Sequence, residues 1–324
     1  MLLALTKNNN VINLESRHLK ISSDAADKTE IIPVNLLDRV ILTDSVRMSG
    51  AVLQQLLEAH IPIILLGKNG QYLGELHYTP GGDSQRRRLQ ALFVPEANLH
   101  PAIKLLEAKL YNQKRVLQRL AANRRRTAPE CRTIDHLRKK LVLQPNLDSL
   151  KGIEGMAARC YFSALGQYLP EWCAFRGRHR RPATDPVNAL LSYSYAVMAG
   201  EFENLIRLHA LDPSWGFLHC ESYNTPALAL DLMEPFRVGY CDMLVIGLLT
   251  HHCLRKEHFS FTDREVRLSA EGRKIFFTAW ESKRSRKFKF DGRVADWQNI
   301  WDLQVRNWLN FLLTDELSSF FKLP

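Results

Sequence analysis

The sequence has no CxxC pair among its six cysteines, no internal repeat, no low-complexity tract, and no apolar run approaching the roughly 20 residues that span a bilayer. Each absence excludes something. Cys131, Cys160, Cys173, Cys220, Cys241 and Cys253 lack zinc-like spacing, and several stand in apolar, helix-like surroundings as buried free thiols do, so a reducing cytoplasm is expected. The start, Met1-Leu2-Leu3-Ala4-Leu5, is too short for a signal-peptide core and has no basic leader, so neither secretion nor membrane insertion is expected.

What is present is length and a lopsided charge. A chain of 324 residues exceeds what one core usually organises, which favours two domains. Residues 1–85 hold seven Lys and Arg against nine Asp and Glu, leaving 37 against 25 for residues 86–324. The formal net charge of +10 therefore belongs to the C-terminal part and points to a polyanionic partner there.

Residues 1–85 read as strands. Ile31-Ile32-Pro33-Val34 and Arg39-Val40-Ile41-Leu42 are short β-branched runs, and Pro62 to Leu66, Asn69-Gly70 and Gln71 to Leu76 have the form of a hairpin. Between them Ser49 is placed to cap a helix carrying Val52, Leu53, Leu56 and Leu57. This part shows no obvious nucleophile or ligand cluster. From about Arg86 the pattern turns helical: Leu89 to Leu120, then Asn188 to Leu211 before Asp212-Pro213, and Trp297 to Phe321. Three basic runs, Arg124–Arg126, Arg176–Arg181 and Lys283–Lys289, lack interleaved aromatics, the composition of a backbone-contacting surface or of solvated loops.

Three segments place acids or a histidine where a core does not normally want them. Glu154 sits between Ile153 and Met156 with Gly152 and Gly155 beside it, either a cleft acid or a solvated early-turn glutamate. His219 ends the apolar stretch Trp215-Gly216-Phe217-Leu218, either a ligand or a hydrogen-bonded core residue. Asp231 and Glu234 stand three apart among leucines on a helix that Thr225 and Pro226 open and Pro235 interrupts. Two carboxylates there repel and resist desolvation unless a cation compensates, which is a reason to expect a metal. Carboxylates with one imidazole suit Mg²⁺ or Mn²⁺; Cys220 beside His219 and His251-His252-Cys253 form the competing zinc reading.

Gly152-x-Glu154-Gly155, Gly216-Phe217-x-His219 and Leu230-Asp231-Leu232-Met233-Glu234-x-Phe236-Arg237, with Asn188-Ala189-Leu190-Leu191-Ser192-Tyr193 between the first and second, resemble the Cas1 family of CRISPR-associated spacer-acquisition integrases. Further likeness runs from about Ile31 through the hairpin and Arg88-Leu89-Gln90 to Val266-Arg267-Leu268-Ser269-x-Glu271-Gly272-Arg273. The resemblance implies an α+β protein: a small N-terminal β domain over 1–85, a sandwich or roll with one helix that serves dimerisation, then a larger all-α catalytic and DNA-binding domain over 86–324. It implies Mg²⁺ or Mn²⁺ held by Glu154, His219 and the second acid of the helix pair. That acid is often Asp in the family and is Glu234 here, which keeps Asp231 as a further candidate ligand. Arg237 and Arg178 resemble the family's basic residues near double-stranded DNA. Homodimers assembled on the small partner Cas2, joining 3′-OH ends of captured DNA to a CRISPR repeat, are the implied function. A transposon-type integrase, a branched-DNA nuclease and a non-catalytic DNA-binding scaffold are the rivals.

Overall fold

A computed structural model describes residues 2–5, 10–23, 26–42, 46–67, 72–76, 78, 83–125, 127–179, 182–219 and 225–324. Strands β1 (Leu2–Leu5), β2 (Asn10–Glu15), β3 (His18–Ser23), β4 (Ala26–Pro33), β5 (Arg39–Leu42), β6 (Val46–Met48), β7 (Ile63–Leu66) and β8 (Tyr72–Leu76) build two four-stranded sheets, with α1 (Gly50–Glu58) between β6 and β7. One sheet has the order β1-β5-β7-β8, parallel except for the β7–β8 pair; the other has the order β4-β3-β2-β6. The expected hairpin is present as β7 paired with β8, while its Asn69-Gly70 turn lies outside the described residues.

The apolar runs of β5 and β7 are continuous rather than alternating because both faces of that sheet are covered. Leu3, Val40, Leu42 and Ile63 point into a core shared with Ile12 and Leu19 of the second sheet and Val52 and Leu56 of α1. Ile41, Ile64 and Leu66, one step out of phase, point into the core of the helical domain. Charge crosses the same junction: Arg39 on β5 pairs with Glu201, both nearly fully buried.

The helical part comprises α2 (Ser84–Leu92), α3 (His100–Asn123), α4 (Glu130–Lys140), α5 (Leu147–Gly166), α6 (Pro186–Leu208), α7 (Ala227–Phe236), α8 (Met243–Thr250), α9 (Ala270–Arg284) and α10 (Trp297–Thr314). The part is mostly helical, as expected, and carries two short antiparallel hairpins between its helices: β9 (Phe259–Phe261) with β10 (Val266–Leu268), and β11 (Phe288–Phe290) with β12 (Arg293–Ala295). The 89–120 pattern is two helices, broken around Pro95. Pro226, not Thr225, takes the cap of α7. The last helix stops at Thr314 rather than near Phe321, where Asp315 adopts φ +61°. No helix among the described residues is long and apolar enough to cross a membrane.

Pro235 does not end its helix. α7 runs through it into a π-helical turn over Arg237–Asp242 and on into α8, the widened register that a missing N–H and a crowding ring favour. Asn112 of α3, fully buried, repairs this region: its Nδ2 donates to Pro235 O (2.7 Å) and Phe321 O (3.0 Å), and its Oδ1 accepts from Leu323 N (2.8 Å). Asn112→Leu is expected to lower stability by about 2–4 kcal/mol, since buried groups lose their partners. Urea unfolding followed by circular dichroism checks this, and an unchanged midpoint would contradict it.

Candidate active site

Glu154, Glu234 and a lysine meet where α3, α5 and α7 pack. Asn146 caps α5 by accepting from Ser149 N (2.9 Å), and two turns along Glu154 turns inward from the face of Leu150, Ile153 and Ala157. Gly155 lines the cleft beside it, and a Cβ there would meet nothing within 4 Å, so the glycine leaves the space open. Lys109 Nζ lies 2.5 Å from Glu154 Oε1 and 2.8 Å from Glu234 Oε2. Glu234 is fully buried, and its other oxygen pairs with Arg237. The solvated-glutamate reading of Glu154 does not hold, since it faces this cluster with 17% of its side chain exposed.

Electrostatics keeps both acids charged. The Lys109 ammonium lowers the Glu154 carboxyl despite its burial. Burial pushes Glu234 up, but Arg237 and Lys109 together overcome it and hold it at about 2. Burial alone would discharge Lys109; Glu234 and Glu154 raise its pKa instead.

Asp231, expected among the metal ligands, has another task. Its Oδ2 accepts from Phe217 N (2.6 Å) and Leu218 N (2.9 Å), and its Oδ1 from His219 N (3.0 Å) and the His219 ring at Nδ1 (2.6 Å). Fully buried, it binds the 217–219 turn and fixes the imidazole with Nδ1 as donor, leaving Nε2 as the free basic atom. Gly216 makes this possible: a Cβ there would lie 2.6 Å from Asp231 Oδ2 and 2.9 Å from the Ala227 backbone. Burial lowers the His219 pKa, but the hydrogen bond and charge of Asp231, with Glu234 beyond, raise it overall. His219 in turn lowers both Glu154 and Glu234, which places it in the same electrostatic cluster.

A cleft of about 680 Å³ lies over Lys109, Glu154 and Glu234, walled by Arg159, Arg176, Arg178, His179, Tyr195 and Arg237; His219 and Asp231 are not among the residues that line it. Asn188 organises its rim: its Nδ2 donates to Gly177 O (2.8 Å), and its Oδ1 accepts from His179 N (2.9 Å) and the Arg178 guanidinium (2.9 Å). Arg237 stacks on Tyr195 at 4.0 Å, and Tyr195 and Tyr161 both donate to buried Asp242, at 2.5 and 2.9 Å. Burial raises the Asp242 carboxyl while the two phenols oppose the rise.

Of the three basic runs, only Arg176–His179 borders the cleft, with Arg180 and Arg181 outside the described residues. Arg124 instead donates to the Gln167 and Tyr168 carbonyls beyond α5, and Arg126 is outside the described residues. Lys283 is buried against the Gly239 and Tyr240 carbonyls, which leaves its pKa depressed to about 8 by burial, and Arg284 pairs with Asp38 and Glu281. These residues bind the protein to itself.

Lys109, Tyr195 and Asp242 were missed in the sequence. Lys109 had one signal: with Asn112 and Gln113 it interrupts the stripe that Leu105 and Val116 define on α3, and polar residues on a buried stripe require partners.

Cys131, Cys160, Cys173, Cys241 and Cys253 are free thiols, while Cys220 lies outside the described residues. Among the described residues no group of three or more His, Cys, Asp or Glu is spaced to hold a metal, including His251-His252-Cys253. Glu154, His219 and Glu234 are no exception, and it is Lys109 that the two acids meet. Their chemistry nonetheless fits a divalent ion: Glu234 Oε2 is buried without a hydrogen bond, beside a cation, and the freed imidazole nitrogen supplies a third donor.

Known proteins resemble this chain over most of its length. The chain is 30% identical over 310 residues to a CRISPR-associated endonuclease Cas1 of Thermus thermophilus, covering 95% of this chain and 92% of that one. It is 32% identical over 287 residues to a Cas4/Cas1 fusion of Leptospira interrogans, of which the match spans about half the length, 52%. A casposase bound to its integration product superposes with a TM-score of 0.89 at 24% identity over 100% of this chain and 93% of that one. A Cas1 protein from Thermotoga maritima does so at 0.80 and 19% over the whole of both chains. These two likenesses concern the fold. The family model described as CRISPR associated protein Cas1 matches residues 3–282, and the chain belongs to that family.

Proposed function

We propose that this protein is a divalent-metal-dependent DNA endonuclease and integrase of CRISPR adaptation, joining 3′-OH ends of short duplexes to a CRISPR repeat. The observation that carries the reading is the pair of ionised acids from α5 and α7, closed around a positive charge at the floor of an arginine-walled cleft. Relatives of this chain are named Cas1 endonucleases. A solved Cas6-RT-Cas1–Cas2 complex, 25% identical with a TM-score of 0.81 over 99% of this chain and 36% of that one, supports a Cas2 partner. A homodimer through the β domain completes the proposed assembly.

Glu154, Glu234 and the Nε2 of His219 would hold Mg²⁺ or Mn²⁺, with Asp231 orienting the imidazole rather than ligating. When bound, the ion favours the alkoxide of an attacking hydroxyl and neutralises charge on the phosphorane. Arg178 and Arg237 bind the phosphodiester from the cleft wall, each held in place, by Asn188 and by Tyr195 respectively. The attacking 3′-OH gives up its proton and bonds to phosphorus. The old P–O bond breaks, and the departing strand leaves as a 3′-hydroxyl; water in place of the 3′-OH gives hydrolysis.

A labelled duplex with 3′-OH ends, offered to a supercoiled repeat-bearing plasmid with Cas2, is expected to join in Mn²⁺ and to remain free in chelator. Filter binding of the duplex should weaken steeply with salt, because the cleft wall contacts phosphates. Metal-independent joining, or salt-insensitive binding, would contradict the assignment.

A further inference from the structure

Lys109 is the one member of the acid cluster that no motif announces, and it occupies the cluster's centre. Its nitrogen touches both acids at 2.5 and 2.8 Å, while the residue itself is 6% exposed and lines the cleft. Two carboxylates this close in a low-dielectric interior repel strongly, and without a cation one of them would take up a proton. Arg237 does not fill that role for the pair, because it is committed to the far oxygen of Glu234 and stacked on Tyr195. Lys109 has a flexible four-carbon stem that places a compact charge at a point, and open cleft lies beside it.

We infer that Lys109 is a built-in counter-ion: its ammonium holds Glu154 and Glu234 in place and yields that position to the divalent ion, so lysine and metal compete for the same two carboxylates. The inference rests on the metal reading proposed above. Glu234 Oε2 marks the contested point, since the lysine nitrogen lies 2.8 Å from it without aligned hydrogen-bond geometry, so the hold is one of charge, which a divalent ion supplies more strongly. The displaced ammonium turns toward the cleft shared by Arg178 and Arg237, where it adds a positive charge to the wall only once the ion is in. Metal loading and phosphate binding are thereby coupled through one side chain.

Calorimetric titration with Mn²⁺ tests the competition. Lys109→Met is expected to bind Mn²⁺ at least about tenfold more tightly than wild type, and Lys109→Arg no more tightly. The Met variant should also unfold at a lower temperature in chelator and regain stability with Mn²⁺. Wild-type protein provides an independent measurement if the variant does not fold: acetic anhydride labelling of Lys109, read by mass spectrometry, should rise several-fold on adding Mn²⁺. Equal or weaker Mn²⁺ binding by Lys109→Met, or labelling unchanged by Mn²⁺, overturns the inference and leaves the metal reading standing. Wild-type protein that takes up no Mn²⁺ overturns the metal reading itself.

Discussion

Purified Glu154→Ala protein is expected to join 3′-OH ends at least about a hundredfold more slowly than wild type, the loss seen when one charge-stabilising group leaves a preorganised site. His219→Ala should behave alike. The expectation follows from where the side chains stand. Glu154 contributes one of the two carboxylates that meet at Lys109, and His219 contributes the one free ring nitrogen in the cluster. Neither substitution should unfold the protein. Without Glu154, Lys109 keeps Glu234 as its partner; without the imidazole, Asp231 keeps the three backbone N–H groups of residues 217–219. Integration assays paired with thermal unfolding separate the two effects. Near-normal joining by either variant, or a collapse of folding that explains the loss, would refute the assignment of roles.

Asp231→Asn should do the reverse and damage structure and activity together. The carboxylate offers two oxygens to four N–H donors, and an amide would turn a donor group toward at least one of them. Leaving such buried donors unmatched costs about 1–3 kcal/mol each. The total expected is therefore about 2–4 kcal/mol, with joining reduced by about a hundredfold because the ring is no longer oriented. Gly216→Ala should produce the same phenotype without removing a polar group, since its Cβ would sit 2.6 Å from the same oxygen and displace it. The His219 pKa should fall in Asp231→Asn, because hydrogen bonding and charge from Asp231 raise it against burial. Titration of the ring by NMR reads this directly. Wild-type stability and joining in either variant would show that the turn does not depend on this carboxylate.

Much of the site was legible because its residues break local rules: acids beside glycines, a histidine closing an apolar stretch, a proline within a helix. The division of labour was not. Asp231 and Glu234 look equivalent in a 3.6-residue repeat, and only the position of the 217–219 backbone, thirteen residues away in sequence but adjacent in space, distinguishes them. The basic runs misled for a related reason. A sequence shows that Arg124, Lys283 and Arg284 are charged, but not that carbonyls just beyond α5 and in the π turn, or Asp38 near β5, already meet them. β4, β5, β7 and β8 were readable from their apolar runs, whereas β1, β2, β3 and β6 were not named. What those runs did not disclose is that one sheet serves two cores, because continuity of apolar residues fits any doubly covered strand.

That shared sheet leaves no slip plane between the halves of the molecule. Ile41, Ile64 and Leu66 would be stripped of cover, and Glu201 would lose its direct partner Arg39, if residues 1–85 were removed. Glu201 lies on α6, the helix that also carries Asn188, Ser192 and Tyr195 to the rim of the cleft. One helix thus ties the strands' buried ion pair to the side chains that hold Arg178 and Arg237 at the cleft.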